Sequence, residues 1–348
     1  MKILVFELAC LSGGFEKRVM FEGLEMLKMA AGGLFRAGHE VTIPVGAGLE
    51  IKPGISAGKI IEIENYDAGS LAGEIGDIVN AKNIDCVFPI APDSYLVEIV
   101  RSLRSRGIEV IAPENNALEV AADKWKTYRV LKKAGVATPK TVLFKGSACD
   151  YPFIVKPRRG VACENLFKID NEREFKFLLK ELLKRRIKNN DFIIQEFIEG
   201  DNVSATLFSD GKEAVPVSFN GQNLMLSSNG SRYLGGVVPY GHPLKDEAFL
   251  AAKHAVESVG GLKGAIGVDL VLSDRSYVIE INPRVTTSMT ALEKVCGLNV
   301  AASALLAYSG RLHEIPAVDF KEIKHKIEFS HKLVNGESAG IEFRELKL

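Results

Sequence analysis

At 348 residues the chain is long enough for two or three domains of ordinary size. Its 47% hydrophobic and 25% charged residues match globular usage and exclude a largely disordered or fibrous chain. Lys plus Arg number 44 and Asp plus Glu number 44, so no global field draws the chain onto nucleic acid or an anionic membrane, and a small ligand is expected. Every apolar run falls short of the about 20 residues of a membrane span, and MKILVFELA is too short for a signal peptide, which predicts a soluble, cytoplasmic protein. The cysteines Cys10, Cys86, Cys149, Cys163 and Cys296 form no CxxC pair and read as reduced thiols, not as a disulfide framework or a zinc site.

Short apolar strands alternate with helical stretches over residues 1–112. KILVFEL, GHEVTIPV, KIIEIE, IDCVFPI and IEVIAP read as strands, with helices near 17–37, 70–82 and 94–106, which predicts a parallel sheet covered by helices. The SGGF turn carries Gly13 and Gly14 but is not a GxGxxG dinucleotide fingerprint. From Pro113, NNALEVAADKWKTYRVLKKAG reads as one long helix stopped by Gly135. A small βαβ-like lid follows, built from TVLF, FIVKP, the amphipathic helix at 172–187 and FIIQEF. Its basic end (Lys184, Arg185, Arg186, Lys188) reads as a solvated surface that suits the helix macrodipole, with a nucleic-acid patch as the lesser alternative. Beyond 203 come antiparallel strands, a helix at 245–259, the strand pair IGVDLVL and YVIEIN, one helix from Ser288 to Tyr308 and a terminal hairpin around GESAG. The expected class is α/β, divided at 1–112, 113–200 and 201–348.

The sharpest chemistry lies in IGVDLVLSDRSYVIEINPR. A hairpin turning at Asp274 and Arg275 sets Asp269 opposite Glu280, and Asn282, two residues on, shares their face. Two carboxylates and an amide oxygen suit Mg²⁺ held with a polyphosphate. An exposed acidic rung is the alternative, and Val271, Leu272, Val278 and Ile279 argue for burial instead. Arg284, just past the strand, is placed to clamp a phosphoryl or carboxylate oxygen. Lys156 ends the apolar strand FIVKP, where an ammonium group needs an anion, and the following RRGVACEN loop offers side-chain charge more than bare backbone amides. Spacing alone reads Lys124 as a surface lysine, and Glu196 and Glu199 as surface charges on an interdomain connector. NGQNLMLSSNGSRYLGGVVP is either a plain surface loop or a substrate-facing one, in which Arg232 holds a carboxylate and Tyr233 stacks on a ring. Glu7 sits at the C-terminal edge of the parallel sheet, where such folds bind ligands, and is a candidate for holding an amine.

Taken in order, DK at 123–124, VKP at 155–157, QEFIEG at 195–200, Asp269 and EINPR at 280–284 resemble the ATP-grasp ligases over roughly residues 1–312. The resemblance implies an N-terminal preATP-grasp domain, a small α+β lid and an antiparallel catalytic domain, with ATP between the last two. It implies that Lys124 and Lys156 contact phosphates. The backbone through Gln195, Glu196, Phe197 and Ile198 reads adenine, and Asp269, Glu280 and Asn282 hold Mg²⁺, or Mn²⁺ in its place. Arg284 steadies an acyl phosphate, and a homodimer is a family expectation. Many relatives place a ribose-binding Glu two residues past the Gly of the hinge, where this chain has Asn202, and their phosphate loop is richer in glycine, so that here a less flexible lid, or one that closes through Arg158 or Arg159, is expected. Within the superfamily, ILVFE, SGGF, EGLEML and EINPRVTTS are similar to the archaeal tyramine–L-glutamate ligases of methanofuran biosynthesis. That likeness implies small-molecule carboxylate and amine substrates: ATP phosphorylates the γ-carboxyl of glutamate, and an amine displaces phosphate. Such chemistry needs metal-bridged ATP and cations rather than a protein nucleophile. A ligase for another amino acid or amine, and a non-catalytic nucleotide-binding subunit, are the rival readings.

Overall fold

The computed structural model describes all residues except 13, 48–57, 65–67, 148–149, 161–162, 186–190, 335–336 and 348. Gly13, Cys149, Val161 and Ala162 of the RRGVACEN loop, Arg186 and Lys188 of the basic helix end, and Gly336 of GESAG therefore lie outside the described residues.

The chain opens with β1 (Lys2–Glu7), α1 (Lys17–Arg36), β2 (Glu40–Gly46), β3 (Lys59–Ile63), α2 (Ala68–Lys82), β4 (Cys86–Ile90) and α3 (Asp93–Ser105). The four strands form a parallel sheet in the order β3-β2-β1-β4. β1 is buried on both faces because its residues alternate between two cores: Ile3 and Val5 pack with Leu24 and Leu27 of α1, and Leu4 and Phe6 pack with Ile75 of α2 and Val100 of α3. IEVIAP, expected as a fifth strand, contributes only one parallel bridge, Val110 to Val87.

The long helix expected after Pro113 is two helices, α4 (Asn115–Ala121) and α5 (Lys124–Lys133). Asp123 breaks it: its carboxylate accepts from the N–H groups of Trp125 and Lys126 and caps α5. The lid comprises β5 (Thr141–Leu143), β6 (Phe153–Pro157), β7 (Phe167–Ile169), α6 (Glu172–Lys184) and β8 (Phe192–Glu196), in the order β5-β8-β6-β7 with every neighbour antiparallel. FIVKP and FIIQEF are thus not the two strands of a βαβ unit. The three-residue β7, too short to stand out as a pattern, is the strand that α6 connects to β8, and β6 lies between them.

β9 (Asp201–Asp210), β10 (Ala214–Met225), β11 (Arg232–Val238), α7 (Lys245–Val259), β12 (Lys263–Leu272), β13 (Ser276–Asn282), α8 (Thr287–Cys296), α9 (Val300–Tyr308), β14 (His325–Val334) and β15 (Glu337–Lys347) complete the chain. The strands form one antiparallel sheet ordered β13-β12-β9-β10-β11-β14-β15. The helix expected from Ser288 to Tyr308 is also broken, by Gly297 in the left-handed region (φ 69°) and by the Asn299 cap of α9. α1, α8 and α9 share one core between the parallel and antiparallel sheets. Among the described residues no single helix is long and apolar enough to cross a membrane, and a 112° bend separates α8 from α9.

Candidate active site

Asp269 on β12 pairs with Glu280 on β13, and Gly267 with Asn282, so the three polar side chains stand on one face at the edge of the large sheet. The expected two-residue turn is not what sets this register. Nearer the turn Leu270 faces Val278 and Leu272 faces Ser276, which leaves a three-residue turn whose Ser273 N–H donates to the Arg275 carbonyl at 3.0 Å. A bulge beside Asp269 inserts Ile279 and restores the alignment of the acids.

Asp269 is anchored from both sides: Asn282 Nδ2 donates to Oδ2 at 3.1 Å and Gln222 Nε2 to Oδ1 at 2.9 Å. Lys124 Nζ lies 3.2 Å and Lys156 Nζ 3.9 Å from Glu280 Oε2. Lys124 also donates to the Gly160 carbonyl at 3.0 Å, and its side chain is only 12% exposed, which overturns the surface-lysine reading. Burial and then the Glu280 charge hold the Asp269 carboxyl well above the usual carboxylate range. Burial also works against ionisation of Glu280, but the Lys124 and Lys156 ammonium groups outweigh it and keep that carboxyl low. Burial pulls Lys156 down to about 8, against the attraction of Glu280. Among the described residues no three His, Cys, Asp or Glu side chains cluster, so a metal site here consists of two carboxylates and the Asn282 amide. Those donors fit a hard divalent cation: burial and the facing Glu280 charge raise the Asp269 carboxyl, a repulsion that such an ion would relieve, and Lys124 supplies positive charge beside Glu280.

Arg284 is oriented by a residue the sequence reading missed. Its Nε donates to Asp93 Oδ1 at 2.7 Å and its Nη1 to the Val285 carbonyl at 3.1 Å. Asp93 opens α3 beyond the C-terminal end of β4 and is buried. Burial raises its carboxyl, and Arg284 and Lys124 oppose that rise. The arginines after Lys156 are engaged elsewhere: Arg158 pairs with Asp123 at 2.5 Å, and Arg159 with Glu119 on α4 at 3.1 Å. Arg159 lines the outer cleft rather than the inner cavity where Asp269 and Glu280 lie.

That inner cavity, about 220 Å³, is lined at one end by Ile154, Leu166, Leu270, Val271 and Ile279, together with Gln195, Glu196, Phe197, Ile198 and Asn202. The Gln195 side chain donates to Thr141 Oγ1 at 3.0 Å, and Lys168 Nζ sits 4.6 Å over the Phe197 ring. An apolar slot edged by strand-end backbone suits a purine. Glu7, Glu22, Tyr233, Thr287 and Ser288 line the same cavity. Glu7 is buried, accepts from the Cys10 N–H at 3.0 Å and is pushed up to about 7 by burial. Tyr233 lines both this cavity and a contiguous outer cleft of about 2000 Å³, whereas Arg232 is exposed and lines the outer cleft alone. Sequence reasoning missed Glu22, Gln222, Asp93 and Thr287. Only Asp93, in the polar PDS step after an apolar strand, left a local signal.

Residues 121–288 match the model of the ATP-grasp domain. The chain is 31% identical over 293 residues to the tyramine–L-glutamate ligase of Methanocaldococcus fervens, covering 84% of this chain and 89% of that one. It is 28% identical to the enzyme of the same name from Methanocaldococcus jannaschii, with 84% of each covered. The crystal structure of an ATP-grasp superfamily protein from Archaeoglobus fulgidus superposes with a TM-score of 0.69 at 26% identity, over 100% of this chain and 99% of that one. ATP-grasp enzymes use ATP with a divalent metal ion. With the order of its motifs, its fold and these relatives in agreement, the chain belongs to the ATP-grasp family of ligases.

Proposed function

We propose that this carboxylate–amine ligase joins the γ-carboxyl of L-glutamate to the amine of tyramine, the two substrates carried in the name of its Methanocaldococcus relatives, as a step of methanofuran biosynthesis. The observation that supports the reading best is the facing pair Asp269 and Glu280, with Lys124 and Lys156 against Glu280 and with Lys156 and Arg284 lining the same cavity. Adenine lies in the apolar slot against the backbone at 195–198, Asn202 takes the ribose side, and Lys124 and Lys156 hold phosphate oxygens. A divalent cation, Mg²⁺ in this proposal with Mn²⁺ as a substitute, would be held by Asp269, Glu280 and Asn282 and would neutralise charge between phosphate oxygens.

The glutamate carboxylate oxygen attacks the γ-phosphorus, the bond to ADP breaks, and an acyl phosphate results. Arg284, held in place by Asp93, stabilises the charge on the transferring group, as a preorganised cation does without reorganisation cost. The amine nitrogen then attacks the acyl carbon and inorganic phosphate leaves. Glu7, Tyr233 and, at the rim, Arg232 make up the substrate end. No protein nucleophile takes part. Arg159 belongs to the ATP site only if binding draws it away from Glu119. A homodimer completes the proposal and is read from the mass in solution.

ADP release with Mg-ATP and L-glutamate across an amine panel, with mass spectrometry of the products, tests the reading. Tyramine-dependent ADP with a glutamyl-tyramine mass is expected. Release with a different amine alone overturns the substrate assignment, and ATP binding without ADP release under any pair overturns the catalytic one.

A further inference from the structure

Val19, Glu22 and Met26 recur at helical spacing on α1 and, with Leu224, Leu226 and Tyr233, line one largely apolar side of the inner cavity; the other carboxyl there, Glu7, lies against Gly23 of α1 and accepts from the Cys10 N–H. Glu22 borders both the inner cavity and the outer cleft, as do Val19, Pro92, Cys163 and Tyr233. Its carboxylate is fixed from two sides. Thr287 Oγ1 donates to Oε2 at 2.9 Å, and Oε1 meets His331 Nε2 at 2.8 Å, while His331 Nδ1 lies 3.1 Å from Ser338 Oγ. The Glu22 and His331 side chains are 15% and 5% exposed. A carboxylate this far withdrawn from water is costly unless polar groups or a cation meet it, and two elements distant in sequence, α8 and β14, hold it. Burial, then the charges of Glu22 and Asp269, push the Tyr233 hydroxyl up, and the Cys163 thiol is raised by burial first and then by Glu280 and Asp269, with Lys156 opposing and Glu22 adding a smaller rise.

An aliphatic amine arrives at neutral pH as an ammonium ion with no lone pair to attack with. It needs a carboxylate to receive it and a place for its proton. We propose that Glu22, steadied by His331 and Thr287, receives the ammonium group of the acceptor amine and removes its proton. The inference rests on the ligase reading above and assigns the amine end of that site. The N–H bond breaks with its electron pair left on nitrogen, and the proton passes to the Glu22 carboxylate. That pair forms the C–N bond to the acyl carbon, the bond from the acyl carbon to the phosphate oxygen breaks with its pair going to phosphate, and the second ammonium proton leaves with the phosphate. Among the described lining residues of the inner cavity the cations are Lys156 and Arg284, both engaged with acids at the phosphate end, so on this side the Glu22 wall suits the apolar or aromatic body of an amine, while Arg18 and Arg232 line the outer cleft that Glu22 also borders. His331 is a positioning residue.

Hydroxylamine separates this role from the first half of the reaction, because it is uncharged at neutral pH and intercepts an acyl phosphate without an ammonium site. In Glu22→Gln, kcat/KM for tyramine is expected to fall by about 100-fold, while ATP- and glutamate-dependent hydroxamate formation stays within about threefold of wild type. Glu22→Asp, which keeps the carboxylate, is expected to recover part of the loss, and His331→Gln to lower kcat/KM for tyramine by about tenfold with KM for glutamate unmoved. Parallel loss of hydroxamate formation and tyramine ligation in both Glu22 variants overturns the proposal, since Glu22 then serves glutamate or the fold. Unchanged tyramine kinetics in Glu22→Gln overturns it equally. A wild-type enzyme that forms no hydroxamate from glutamate overturns the substrate reading, and this inference with it, before any variant is made.

Discussion

The two ends of the inner cavity are built in different ways. At the end proposed for the metal, Asp269, Glu280 and Asn282 come from one hairpin and meet because strands have a period of two and a fixed register. At the end proposed for the amine, Glu7, Glu22, Tyr233 and Thr287 come from β1, α1, β11 and α8, with His331 of β14 behind Glu22, and the packing of α1 and α8 between two sheets brings them together. Chemistry carried by a local repeat is robust to the rest of the fold. Chemistry carried by convergence can be retuned by any of the elements involved, which suits the part of a ligase that chooses its acceptor.

Breaking the hairpin end has the largest expected effect. Glu280→Gln removes the charge that faces two buried lysines, and ADP release with Mg-ATP and glutamate is expected to fall by about 1000-fold. Near-normal turnover in a well-folded variant would show that the acid pair is not the working end. Next comes the joint between lid and large sheet. A Cβ at Gly200 would lie 2.0 Å from the Leu272 carbonyl oxygen, a backbone atom that cannot step aside, so Gly200→Ala is expected to cost about 1–3 kcal/mol in denaturant unfolding. A variant as stable as wild type would mean that the end of β12 yields there.

This contrast also marks what could be read from sequence. The parallel opening, the lid, the antiparallel sheet and the Asp269–Glu280 pairing were legible because each is a short-range pattern of apolar and polar residues. The two helix breaks, at Asp123 and Gly297, were not, because apolar periodicity runs through both and only the cap and the left-handed backbone decide them. β7 was too short to register, and the three-residue turn with its compensating bulge gives the same pairing as the two-residue turn expected. Arg158 and Arg159, either of them expected to close the lid, pair here with Asp123 and Glu119, far from each in sequence. Glu22 and His331 lie 309 residues apart, and no window of sequence holds both.

Asp93 lies between these extremes, since it is local to its own helix start but 191 residues from the arginine it orients. Asp93→Asn keeps the size and loses the charge beside Arg284, so kcat is expected to fall by about tenfold with KM for ATP little changed. A rise in KM for ATP at unaltered kcat would instead mean that Asp93 acts on nucleotide binding, through Lys124.

The smallest effect tests the outer side of the lid. Glu119 accepts from Lys126 at 3.0 Å, Arg101 at 2.8 Å and Arg159 at 3.1 Å. The Lys126 hydrogen bond first, with burial opposing and the two arginines adding to it, holds the carboxyl at about 2 against an ordinary 4.5. A group depressed in this way contributes stability that is fully present above pH 4.5 and is lost as the pH falls toward 2. The cluster is partly solvated, so after screening its contribution is about 1 kcal/mol. Glu119→Gln is therefore expected to unfold more easily than wild type at neutral pH and equally at about pH 2, as read by urea titrations across that range. Because the same substitution releases Arg159, ATP affinity is expected to hold or rise. A fall would mean that Glu119 holds the lid in the shape that ATP needs, and that the salt-bridged arginine is part of the nucleotide site as it stands.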